Sequence, residues 1–210
     1  MIRLLSLSNI LFFAIFLPIS ALAQQPLGNT FRGIQISPEN RCSPYTSEDY
    51  PYSQSVEVEI IRQQSGIFSP YDMRCFVSRF QTDIEHIVAR SEAHDSGLCA
   101  STAAVRKQFS EDLLNLTLAT PALNRRDKIA KDVSEWVPPY NVCWYAHTIV
   151  EVKRKYGLTV DREEAMTLSE ILKNCPEIEI IRPQCNDEMI LSADDSGDPY
   201  SDSQNLPGSH

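Results

Sequence analysis

Glu85 and His86 stand side by side in a short β-branched run, Asn115 lies 29 positions after the histidine, and Asn124 comes nine later, followed at once by Arg125, Arg126 and Lys128. An acid, an imidazole, two amides and a basic cluster in this order contain what phosphodiester hydrolysis needs. A base must deprotonate water, a cation must neutralise charge on the phosphate and the leaving oxygen, and a scaffold must hold both in register. A lone strand histidine is usually structural, so the chemical reading rests on the ordered set.

The elements that must position these groups follow from pattern and punctuation. Thr82 to Ala89 reads as a buried strand. Adjacent strand residues face opposite sides, so Glu85 and His86 serve one site only where the strand bends or ends. Ser91 to Gly97 reads as a polar loop that places His94 near substrate. Ser101 is expected to cap a helix to about Leu113, and Leu114 to Ala119 alternates as a second strand. Thr120 and Pro121 open a helix as N-cap and first helical residue. Pro138-Pro139 stops it, Asn141 starts a long helix that ends at Tyr156 before Gly157, and Asp161 with Glu164 caps a last helix to about Asn174. Upstream, Ser55 to Arg62 fits a strand or a helix equally, and Gly66 to Phe76 reads as a hairpin turning at Ser69 to Asp72. The order predicts a mixed α+β domain.

Residues 1–23 read as a secretory signal peptide: Arg3, an apolar Ile10 to Leu17, then Ala21-Leu22-Ala23 as a cleavage site. Residues 24–41 read as a lead-in linker, 42–185 as the domain with its core at about 82–136, and 186–210 as an acidic, disordered tail. A secreted or periplasmic destination agrees with six cysteines, Cys42, Cys75, Cys99, Cys143, Cys175 and Cys185, without a CxxC pair. Six cysteines allow fifteen pairings, and sequence alone does not choose among them. The working expectation is Cys42–Cys75, Cys99–Cys143 and Cys175–Cys185, the last closing a short loop at the final helix. The net charge of −9 is unhelpful to a nucleic-acid enzyme. Much of it sits after residue 185, however, and residues 103–131 are locally basic.

Glu85-His86-Ile87-Val88, Asn115-Leu116 and Asn124-Arg125 with Lys128 together resemble the pattern of HNH, or ββα-metal, nucleases. The likeness is closest to the branch containing the C-terminal nuclease region of GmrSD restriction enzymes. It continues through Lys131-Asp132-Val133-Ser134-Glu135-Trp136-Val137-Pro138 and Val152-Lys153-Arg154-Lys155-Tyr156-Gly157-Leu158, and covers about residues 82–174. The resemblance implies a ββα-metal core with added C-terminal helices and His86 as general base. It implies Glu85 and Asn124 as ligands of one divalent ion, Mg²⁺ or else Mn²⁺, with Asn115 bracing the loop or orienting the His86 ring. Arg125 and Lys128 would contact phosphate of DNA, or of RNA. A neutral imidazole of ordinary pKa near 6.5 is a competent base at pH 7 to 8. One departure from the pattern is Glu85, where Asp is commoner.

Several alternatives stand beside this reading. Asn115-Leu116-Thr117 is also a glycosylation sequon. Trp136, Trp144 and Tyr145 read as core, and Lys153-Arg154-Lys155 as a solvated helix face or a contact to the DNA backbone. The competing function is a disulfide-stapled extracellular binding protein on the same scaffold, without catalysis.

Overall fold

In the computed structural model, which describes residues 28–185, the chain opens with a hairpin, β1 (Thr30–Phe31) and β2 (Ile34–Gln35). Gly33 supplies its positive φ of +85°. Phe31 and Ile34 are buried in the main core, and Ile36 bridges Val160 in parallel. The expected linker is therefore partly domain, because its apolar residues have somewhere to pack. The signal peptide and the acidic tail lie outside the described residues.

Ser55 to Arg62 resolves as helix: α1 (Val56–Gln64) buries Glu57, Ile60 and Gln64, a helical stripe rather than an alternating face. The expected hairpin follows as β3 (Phe68–Ser69) and β4 (Arg74–Cys75). Then β5 (Asp83–His86) pairs antiparallel with β6 (Leu116–Ala119), with Glu85 opposite Thr117 and His86 opposite Leu116. Ile84, Leu116 and Leu118 pack on Ile60 of α1 as a second, smaller core.

Between these strands the polar stretch expected as loop is a helix, α2 (Arg90–Asp95), with Glu92 and His94 buried. Next comes α3 (Ala103–Ser110), capped by Thr102 rather than Ser101: the Thr102 hydroxyl accepts from the Val105 N–H at 3.3 Å. After β6, Thr120 caps as expected, accepting from the Leu123 N–H at 3.2 Å. The turn then widens into a π-helical segment, Leu123–Lys128. Such i→i+5 turns are rare and concentrate at functional sites. It ends at Ile129, with a φ of 51° that is unusual for a β-branched residue.

The long helices α4 (Val142–Tyr156) and α5 (Arg162–Lys173) pack together, with Gly157 ending α4 at a φ of +64° and the Asp161 carboxylate capping α5 at 2.8 Å. Lys153 faces inward rather than toward solvent or nucleic acid. It is wholly buried, with Glu92 of α2 at 2.8 Å and Glu164 of α5 at 2.5 Å. Tyr145 is core as expected, with Tyr71 and Trp136 edge-on to it.

All six cysteines are paired, but each expected pairing is corrected: the bridges are Cys42–Cys99, Cys75–Cys185 and Cys143–Cys175. Packing explains the third, since antiparallel α4 and α5 bring the first turn of one beside the end of the other. The Arg41–Asp95 ion pair and the Asn40 N–H bond to the Asp95 carbonyl carry Cys42 to Cys99. The C-terminal segment turns back past Asn141, whose side chain holds both polar groups of Ile181, and reaches β4. The chain end is thus fastened to the hairpin and not to the last helix. Among the described residues no helix is long and apolar enough to cross a membrane.

Candidate active site

β5 ends at His86, the one place where neighbouring residues on opposite strand faces can share a site. Glu85, His86 and Asn124 do share one: all three line a cavity of about 450 Å³, together with Arg41, Tyr52 and Arg90.

The His86 ring is almost wholly buried, edge-on to Tyr52 at 5.1 Å and stacked near Phe109 at 6.5 Å. Its Nε2 lies 3.0 Å from the Ser110 carbonyl oxygen. A carbonyl only accepts, so Nε2 carries the proton and Nδ1 holds the lone pair. Burial first, then the nearby Arg90 charge, push the pKa down to about 3, against the ordinary value expected from sequence. The ring is therefore neutral across the working pH range, and its basic atom is Nδ1.

Asn115 is fully buried and braces the backbone after His86 rather than orienting the ring. Its Oδ1 accepts from the Val88 N–H at 2.8 Å, and its Nδ2 donates to the Val88 carbonyl at 3.2 Å. Asn124 is oriented by Asp83, two residues before Glu85 on the same strand face. The Asn124 Nδ2 donates to Asp83 at 3.0 Å, which leaves Oδ1 as the available acceptor.

The two basic side chains expected on phosphate are engaged elsewhere. Lys128 is wholly buried, its Nζ 2.7 Å from Glu85 and 3.0 Å from the His86 carbonyl oxygen. Arg125 is exposed but holds Asp83 bidentately at 2.7 and 2.6 Å. His94 does not reach the cavity either. Both of its ring nitrogens are taken, Nδ1 by the Tyr50 hydroxyl at 2.8 Å and Nε2 by the Ser43 carbonyl at 2.7 Å. It is a strut between α2 and the segment 43–50. Asp83, Tyr52, Ser110 and Arg90 are the residues that sequence reasoning missed. Asp83 had a signal, a period-2 acid facing the Asn124-Arg125 turn; the others had none.

A carboxylate and an amide oxygen, Glu85 and the Asn124 Oδ1, border one cavity and suit a divalent ion by type. Burial raises the Glu85 carboxyl above its usual range, and the Lys128 ammonium 2.7 Å away works against that rise.

An antiparallel strand pair followed by a helical turn, with the histidine closing the first strand and an asparagine on the turn, defines an HNH-like α+β domain. The model of the family described as GmrSD restriction endonucleases, C-terminal domain, matches residues 31–171, and the chain belongs to that family. Nuclease-type chemistry is accordingly the setting of the family. An uncharacterized secreted protein of Arthroderma benhamiae is 33% identical over 112 residues, 51% of this chain and 54% of that one. The chain thus spans about half the length of the relative it matches. No solved structure matches it.

Proposed function

We propose that the protein is an exported endonuclease that hydrolyses phosphodiester bonds of DNA, or of RNA, with little sequence preference. The observation that carries the reading is the convergence of Glu85, His86 and Asn124 on one cavity, at the end of β5 and on the turn after β6. In the mechanism His86 Nδ1 would take the proton from the attacking water. With its pKa pushed down to about 3 the ring is a weak base, so the step requires a water made more acidic by the bound cation. The Ser110 carbonyl holds the opposite N–H, so the ring presents its lone pair in a fixed direction, and Tyr52 and Phe109 keep it from swinging. Glu85 and the Asn124 Oδ1 would hold one Mg²⁺, or Mn²⁺, which supplies charge neutralisation at the phosphate and leaving oxygen. Export rests on the leader-like first 23 residues, on three disulfides and on the secreted relative.

The test is plasmid nicking by the oxidised protein. Cleavage is expected with Mg²⁺ or Mn²⁺, is expected to stop with chelator, and should fall by about 10²- to 10⁴-fold in His86→Ala with circular dichroism unchanged. An unaltered rate in that variant places the chemistry elsewhere. The second reading, a binding protein without catalysis, draws on Lys128 already neutralising Glu85. Absence of cleavage by wild type with either ion would favour it.

A further inference from the structure

The cations around the cavity are unequal. Arg41 is tied bidentately to Asp95 at 2.7 and 2.6 Å, Lys128 is ion-paired to Glu85, and Arg125 is clasped to Asp83. Arg90 lines the same cavity but has no carboxylate within 4 Å among the described residues. It is nonetheless held in place. Its Nη1 donates to the Tyr50 carbonyl at 3.1 Å and lies 3.5 Å from that of Ser47, while the guanidinium sits over the Tyr52 ring at 5.1 Å. Both contacts use one nitrogen. The Nε and Nη2 edge, the pair of donors that matches two phosphate oxygens, has no protein acceptor among the described residues.

A second cavity, of about 310 Å³, adjoins it: Arg90 and Tyr52 line both, and Glu48 and Gln54 line only the second. Arg90 and Tyr52 therefore form a ridge between the two. An acid at Glu48 disfavours a phosphate inside the second cavity, so the anion belongs on the ridge. A half-buried guanidinium with no carboxylate in direct contact gains from an arriving anion, even with the Glu48 charge nearby.

We propose that Arg90 binds a backbone phosphate of a polynucleotide strand at the boundary of the two cavities. The identity of the anion rests on the nuclease reading above; the vacant guanidinium edge does not. This assigns to Arg90 the contact that the sequence pattern gave to Lys128.

The experiment is fluorescence anisotropy of a labelled single-stranded oligothymidylate, in chelator, with the His86→Ala protein as parent so that nothing is cut. Arg90→Gln keeps a donor for the Tyr50 carbonyl but removes the charge. It is expected to weaken binding about tenfold and to flatten the slope of log K against log salt by about 0.7, with the melting temperature unchanged. Arg90→Lys should recover most of the salt slope but not the full affinity, since a point charge replaces a fork. Lys173→Ala, on the far exposed turn of α5, serves as the control that changes neither. Equal affinity and equal slope in Arg90→Gln and its parent overturn the proposal, as does a parent that binds no oligonucleotide. The two readings fail separately. Arg90-dependent binding by a wild type that cuts nothing removes the nuclease reading and leaves the phosphate site; efficient cutting with an indifferent Arg90→Gln does the reverse.

Discussion

Asn115 satisfies both backbone polar groups of Val88, while its own carbonyl accepts from the Ile87 N–H at 2.8 Å. Three hydrogen bonds thus fix the two residues that follow the proposed base. Asn115→Ala would strand a buried N–H and a buried carbonyl, at about 1–3 kcal/mol each. Chemical denaturation should show a loss on the order of 3 kcal/mol, and a loss under about 0.5 kcal/mol would mean that the brace is dispensable. Asn115 was legible in the sequence through the resemblance to the HNH pattern, which implied a brace for the loop or a contact to the His86 ring. The roles of Lys128 and His94 were not, because a polar side chain in a polar stretch carries no sign of burial. Whether Lys128 meets a phosphate or Glu85 depends on the roll of the π-helical segment, and that is set by packing.

The interior ion cluster of Lys153 with Glu92 and Glu164 ties α4 to α2 and α5. Periodicity could not reveal it. A buried lysine paired with two buried acids reads, in one dimension, as three surface charges, and for the same reason α2 looked like a loop. Burial, and then the Glu92 charge working against the pull of Lys153, push the Glu164 carboxyl up to about 8. A raised folded-state pKa means that the stabilisation is complete below the unfolded value near 4.5 and is lost as pH climbs toward 8. Lys153 is raised and Glu92 lowered, so their contributions change only above about pH 10 and below about pH 5. Glu164→Gln mimics the protonated carboxyl. Its melting temperature, relative to wild type, should become more favourable between pH 5 and pH 9; a constant difference across that range would refute the assignment.

Across the whole molecule, the disulfides close the chain where the sequence could only count them. The loop between Cys75 and Cys185 has a sequence separation of 110 and returns the C-terminal segment to the β3–β4 hairpin, where Asn141 also bonds Pro70 and Ile181. Neither cysteine lines the cavity. The double variant Cys75→Ser/Cys185→Ser should therefore lose about 2–4 kcal/mol of stability in denaturant titrations while nicking plasmid at 25 °C at the parental rate. Loss of cleavage in a variant that remains folded would show that the strap supports the site. The α+β class, the strands β5 and β6 and the helices α4 and α5 were readable, because prolines, caps such as Asp161 and alternation are local signals. The cysteine partners were not, because they depend on which helices pack.

The side chain of Asn115 has no exposure to solvent. In a compartment that attaches oligosaccharides to nascent chains, its acceptor triplet can be reached only before β6 docks on β5. Strand pairing and sugar transfer therefore compete for the same amide, and a chain that has finished folding has already excluded the transferase.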